Sequence, residues 1–355
     1  MSGEAQLRAK IGQMVLLGFR GYEIGDEHPV ARDLADRNIG GVILYDQEMA
    51  DPSLQGRNIQ SPGQVRALVR SLQQRARAPL LVAIDQEGGR VNRLKEEYGF
   101  PATLSHEELG AANDPARTFA EAAKTASTLA GLGINLNLAP VVDLDAAPDN
   151  PIIKRKKRSF GADPDTVSRH AIEFARAHHR HGILTCAKHF PGHGSARGDT
   201  HLGLVDVTEY WTEAELAPFE RLIQENLCDT VMTAHLFNAR LDANRPATLS
   251  EKVVTGLLRR RLGFEGVIVS DDLEMKAIAS HYGLEQAILL GLQAGLDVLC
   301  FGNNLSFDAN IGEKVCRIIY RLVDSGKIGE ARIDDSFRRI QKLKDKLAHP
   351  LHRPP

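Results

Sequence analysis

The stretch ILTCAKHFPGHGSARGDTH (183–201) changes character part-way along. Its first five residues are apolar and of strand length. From Lys188 onward, fourteen positions hold three histidines, a lysine, an arginine and an aspartate, interleaved with three glycines and a proline. A buried strand that ends in ionisable groups places them at one end of a sheet, and such groups are costly there unless paired or used.

Seven further apolar runs of the same length recur: MVLLGF (14–19), GVILY (41–45), LLVAID (80–85), INLNLAP (134–140), TVMTAHL (230–236), GVIVSD (266–271) and DVLCFG (297–302). Helical periodicity fills the intervals at 63–77, 116–132, 165–181, 213–226, 251–262 and 284–294. Strands alternating with helices imply parallel βαβ units, and near-continuous apolar strands imply burial on both faces. Eight units predict an α/β fold, a (β/α)8 TIM barrel with enlarged βα loops. The barrel is expected at about 11–305, with C-terminal helices within about 306–347, in one domain over 1–355. A doubly wound open sheet would want a glycine-rich phosphate turn after its first strand, which Arg20-Gly21-Tyr22 does not supply.

In a barrel of this kind the chemistry sits at the C-terminal ends of the strands. The third run ends in Asp85 and continues QEGGR; the fourth is followed by Asp143; the fifth ends in Lys188 and His189; the sixth in His235; the seventh in Asp271 and Asp272. The strand N-terminal ends are read as carrying no comparable accumulation. Asp272 is expected to cap the next helix, leaving Asp271 facing the barrel mouth. Lys188 doubles as an ion-pair partner for Asp85, and His235 as a core histidine.

Bulk properties narrow the partners. At 355 residues, 43% hydrophobic and 25% charged with a net charge of −2, the chain is an ordinary globular protein with no general attraction for nucleic acid or anionic membranes. Four scattered cysteines without CxxC spacing, no signal-peptide pattern and no apolar run of span length predict a cytoplasmic protein with free thiols.

Two chemistries suit the 188–201 segment. His189, His193, Asp199 and His201 are all possible metal ligands, although the first strand lacks the His-x-His pair usual in metal-dependent barrel hydrolases. The alternative is metal-free glycosyl transfer, which needs a carboxylate nucleophile and a proton donor on opposite faces of the sugar. Asp271 fits the first role. In Asp199-Thr200-His201 an extended backbone puts both side chains on one side, so that the carboxylate fixes the imidazole tautomer and frees its other nitrogen for the glycosidic oxygen.

The segments IDQEGGRVNR (84–93), KHFPGHGSARGDTH (188–201), VMTAH (231–235) and VIVSDDLEM (267–275) resemble glycoside hydrolase family 3, specifically its β-N-acetylhexosaminidase branch. The resemblance covers about 11–302. It implies a single barrel that removes terminal N-acetylglucosamine, typically from peptidoglycan fragments during wall recycling, with retention, no cofactor and no metal. It implies Asp271 as nucleophile and Asp199 with His201 as acid/base dyad. Asp85, Arg93, Arg158, Lys188 and His189 match sugar-binding residues, and His235 is grouped with them. The implied partner is a small N-acetylglucosamine-containing carbohydrate, with neither nucleic acid nor membrane.

A family 3 β-glucosidase is the nearest alternative, but such relatives generally add a second domain and this chain carries the Asp-x-His loop. A histidine donor also admits phosphorolysis, because imidazole does not repel phosphate as a carboxylate would. A silent sugar-binding protein would lose the dyad or nucleophile. Two departures are small: Ser195 stands where aspartate is frequent, and Thr200 where serine is usual. The basic run Lys154-Arg155-Lys156-Lys157-Arg158 departs further. It reads either as a solvated loop or as a rim that recognises an anionic aglycone.

Overall fold

All eight apolar runs form parallel strands of one sheet: β1 (Val15–Gly18), β2 (Gly41–Leu44), β3 (Leu81–Ile84), β4 (Leu136–Asn137), β5 (Leu184–Phe190), β6 (Thr230–Thr233), β7 (Val267–Ser270) and β8 (Leu299–Phe301). Neighbours follow chain order, β8 pairs with β1, and a parallel bridge between Val269 and Val298 joins β7 to the start of β8. The sheet therefore closes into a barrel, which leaves no free edge. The structure, a computed structural model, describes residues 3–348 apart from Pro52 and Gln55.

The helices are α1 (Gly3–Gln13), α2 (Pro29–Arg37), α3 (Pro62–Arg75), α4 (His106–Ala112), α5 (Pro115–Leu132), α6 (Pro164–Arg180), α7 (Ala217–Gln224), α8 (Lys276–Ala279), α9 (Leu284–Ala294), α10 (Ile311–Asp324) and α11 (Glu330–Ala348). Lys252–Arg261 is wound as a π-helix. Several start on a polar cap followed by proline: Ser61-Pro62, Asp114-Pro115 and Asp163-Pro164. The cap side chain accepts orphan N–H groups, and proline fits where no N–H is needed. Short α2 and α4 fall between the periodic segments and escape the sequence reading, although Ser105 and Glu108 form a capping box that marks the start of α4.

The strand N-terminal ends do carry charge, contrary to expectation. Asp229, just before β6, accepts from the Thr185 N–H, His179 and Lys346. Asp297, before β8, accepts from the Ile268 N–H and pairs with Arg259, Arg332 and Arg339. Both are saturated by partners from α6, α11 and the π-helix, so they tie helices to the barrel floor. Lys344 of α11 adds bonds to Gln13 and the Gly40 carbonyl. The floor is a stability device, and the opposite rim is left for chemistry. Among the described residues, no helix is long and apolar enough to cross a membrane.

Candidate active site

Strands β3 and β5 place three charges together at the rim. Lys188 is only 2% exposed, and its ammonium lies 2.7 Å from Asp85 Oδ1 and 2.7 Å from Glu87 Oε1. Two of its three hydrogens are thereby used, and one remains for a ligand hydroxyl. Glu87 also binds Arg158 in bidentate fashion, at 2.7 and 2.8 Å. Burial alone would raise the Glu87 carboxyl, but the Arg158 guanidinium and Lys188 ammonium outweigh it and hold it well below the usual range.

Arg93 reaches the same place by a loop. Gln86 Oε1 accepts from the Arg93 and Leu94 N–H groups, folding the chain after β3 back on itself. The guanidinium then stands 3.7 Å from Asp85 and 3.5 Å from Asp46, near the Tyr45 ring. Gly88, at φ +103°, allows the intervening turn, since a Cβ there would sit 2.2 Å from the Leu104 carbonyl.

Asp271 follows β7, its N–H bonded to the Thr233 carbonyl at 3.3 Å, and one carboxylate oxygen accepts from the Asp272 N–H at 2.8 Å. Burial would raise its pKa. The imidazoles of His235, His189 and His201, with that N–H, bring it below the ordinary aspartate value. An ionised carboxylate fixed at a barrel strand end suits a nucleophile.

The loop after β5 has an anchored half and an exposed half. Asp143, fully buried, accepts from the backbone N–H groups of His189 and His193 and from His189 Nδ1 at 2.7 Å. Asn150 donates to the carbonyls of His193 and Gly194, and Glu215 accepts from the Gly194 and Ser195 N–H groups. Gly194 packs so tightly that a Cβ would lie 2.1 Å from the Leu144 carbonyl. From Arg197 to Leu204 the chain is exposed or half-buried, apart from buried Thr200. There His201 Nδ1 meets Asp199 Oδ1 at 2.8 Å, and the same oxygen accepts from the His201 N–H at 2.8 Å. These bonds and Lys156 hold Asp199 below its ordinary value although burial opposes them. The imidazole keeps Nε2 free on a side chain that is 45% exposed.

A strand-end carboxylate, a carboxylate-oriented imidazole and a charged pocket on one barrel rim fit the comparison with known sequences. The family model for the N-terminal domain of glycosyl hydrolase family 3 matches residues 6–343. The chain belongs to that family. This family 3 chain is 36% identical to a beta-hexosaminidase of Tolumonas auensis, over 82% of the chain and 83% of the relative. It is 32% identical to beta-hexosaminidase A of Pseudoalteromonas piscicida, over 95% of the chain but 60% of the relative. Among solved structures, a family 3 beta-N-acetylglucosaminidase from Paenibacillus matches with TM-score 0.88 at 36% identity, covering 98% of the chain and 64% of that protein. The chain thus spans about three fifths of the longer relatives and groups with the β-N-acetylhexosaminidase branch.

Within this family 3 site, two histidines are engaged at both ring nitrogens. His235 is 1% exposed, with Nδ1 against Thr248 at 2.9 Å and Nε2 against the Asp272 carbonyl at 2.9 Å. Both ring nitrogens are thus engaged, and His235 holds the turn behind Asp271, the core role that its sequence position also allowed. His189 is likewise engaged at both nitrogens, by Asp143 and by Arg158 at 3.2 Å; it braces Arg158. Asp272 caps no helix. It accepts from the Glu274 and Gly302 N–H groups, linking the turn after β7 to the end of β8. As for the metal alternative, among the described residues His189, His193, Asp199 and His201 do not gather into a set of three or more ligands.

Glu87, Asp143, Asn150 and Glu215 were not assigned from sequence. A signal existed for Glu87, since Lys188, Arg158 and Arg93 assembled around Asp85 leave positive charge in excess. For the other three, only the fold reveals which backbone they hold.

Proposed function

We infer that this chain is a retaining exo-β-N-acetylglucosaminidase. The observation that carries the reading is the Asp199–His201 pair, borne on the loop that begins at the Lys188 pocket and accompanied by the strand-end carboxylate Asp271. Asp271 attacks the anomeric carbon as the bond to the leaving oxygen breaks. His201, protonated on both nitrogens, gives its Nε2 proton to that oxygen while Asp199 holds Nδ1–H. The neutral imidazole then takes a proton from water, whose oxygen displaces Asp271 from the sugar, and two inversions give net retention. Asp85, Lys188, Arg93 and Arg158 orient the sugar hydroxyls through charge-assisted bonds.

The hexosaminidase relatives and the Paenibacillus glucosaminidase support N-acetylglucosamine as the sugar removed. Peptidoglycan fragments are the favoured source, and the cytoplasm the favoured place. A reducing compartment suits the unpaired thiols of Cys186, Cys228, Cys300 and Cys316.

A panel of p-nitrophenyl glycosides tests the reading. Cleavage of the N-acetyl-β-glucosaminide should exceed that of the β-glucoside and β-xyloside, with the β-anomer released first. Preference for the β-glucoside overturns the assignment, and a sugar 1-phosphate formed in phosphate buffer replaces hydrolysis with phosphorolysis.

A further inference from the structure

The basic run at 154–158 divides into used and unused cations. Lys154 pairs with Asp145 and Glu107, Lys157 lies 3.8 Å from Glu107, and Arg158 is held by Glu87. Arg155 and Lys156 are exposed, and among the described residues neither has a carboxylate within 4 Å. A third such cation joins them from the loop after β3: Arg90 donates to the Arg155 carbonyl at 2.9 Å and is also exposed without an acidic partner. Two loops that each supply pocket residues therefore bring three unneutralised cations to one rim.

Their position is fixed on both sides. The run is clipped by bonds from Arg155 N–H to the Asn150 carbonyl and from Arg158 N–H to the Ile153 carbonyl, while Asn150 itself holds the anchored half of the dyad loop. Lys157 adopts φ +58°, a conformation costly for a residue with a side chain, and such strain gathers where geometry serves a function. The Lys156 ammonium senses the charges of Arg158 and Asp199 together, one from the sugar pocket and one from the dyad. A proton donor stands at the glycosidic oxygen, and the run bearing these cations is tied through Asn150 to the loop that carries the dyad, which puts them on the leaving-group side.

We propose that Arg90, Arg155 and Lys156 form a subsite for an anionic group, a carboxylate or phosphate, on the residue that leaves. The subsite rests on the glucosaminidase reading above. Cations at a solvated rim attract such a group over a short range and confer preference more than tight binding.

The test compares kcat/KM for β-1,4-linked N-acetylglucosaminyl disaccharides. Their reducing residue carries a 3-O-lactyl carboxylate, the methyl ester of that carboxylate, a 6-phosphate, or no charge. The wild type should favour an anionic substrate over its neutral counterpart roughly three- to tenfold at low ionic strength, with the advantage shrinking at about 0.5 M salt, where the screening length is about 4 Å. Preference for the carboxylate over its ester identifies a lactyl-type group, and preference confined to the phosphate identifies a phosphorylated sugar. Arg155→Gln with Lys156→Gln should shrink the ratio, and adding Arg90→Gln to that pair should erase it. Because each ratio is taken within one variant, any effect on the dyad cancels. Equal rates in the wild type, or a ratio that survives in the variants, overturn the subsite. If the wild type leaves neutral p-nitrophenyl N-acetyl-β-glucosaminide uncleaved, the glucosaminidase reading itself fails, and the subsite with it.

Discussion

Glu87 grips Arg158 through both carboxylate oxygens, at 2.7 and 2.8 Å, in a site from which water is almost wholly excluded. The pair is the hub of the sugar pocket, because Glu87 also neutralises Lys188. Glu87→Gln keeps the shape and removes the charge, leaving two buried cations short of a partner. The expected cost is about 3–5 kcal/mol of stability, read by urea unfolding, with a raised KM. Unchanged stability would show that the cations are neutralised elsewhere.

Asp271→Ala should lower turnover of p-nitrophenyl N-acetyl-β-glucosaminide by roughly a thousandfold or more, since the covalent step loses its nucleophile. Azide added to that variant should restore part of the rate and yield a glycosyl azide of inverted configuration. A β-azide, or full activity without azide, would move the nucleophile elsewhere.

His201→Ala removes protonation of the leaving oxygen, worth about 10²–10⁴-fold. The loss should be large for disaccharides and small for activated phenols, which depart without a proton. Asp199→Asn should share the pattern, because the carboxylate acts through the imidazole. Equal losses on both substrate classes argue against a donor role.

The acid limb of kcat/KM should lie below the ordinary aspartate value of 3.8, because the Asp271 pKa is lowered and the nucleophile must be ionised. Activity is then retained above that value and lost as pH falls through the lower pKa of the folded site. A limb near pH 5 to 6 (roughly one to two units above the aspartate reference) would contradict the environment described for Asp271.

Glu215 gives a stability signature of opposite sign. Burial pushes its carboxyl from 4.5 up to about 7, against the N–H bonds from Gly194 and Ser195. The folded state thus holds a proton that the unfolded chain releases, so stability is full below 4.5 and falls as pH rises to about 7. Glu215→Gln should abolish that fall, on the order of 3 kcal/mol, while keeping an acceptor for the Gly194 N–H. Thermal melts of both proteins between pH 4 and 8 (a range chosen to span about four units) read it directly.

The barrel was legible because each strand is an uninterrupted apolar run between turn residues, a pattern set by burial on both faces. Asp271, Asp199 and His201 were legible as strand-end or closely spaced groups, for which sequence distance stands in for spatial distance. His235 kept two readings because a histidine at a strand end reads alike whether its nitrogens face a ligand or meet Thr248 and the Asp272 carbonyl. Asp229 and Asp297 were overlooked for a related reason: their partners lie in α6, α11 and the π-helix, up to 117 residues away in the case of Lys346. Long-range pairing of charged side chains leaves no periodic trace.

Asp271 sits beside the seam between β7 and β8. Asp272 accepts from Gly302, and the Leu273 N–H bonds to the Cys300 carbonyl, so the turn bearing Asp271 is shaped by the final strand. The pocket of β3 and β5 and the turn bearing Asp271 thus depend on different strands. A change that loosens β8 reaches Asp271 first, because the turn beside it borrows its bonds from Cys300 and Gly302.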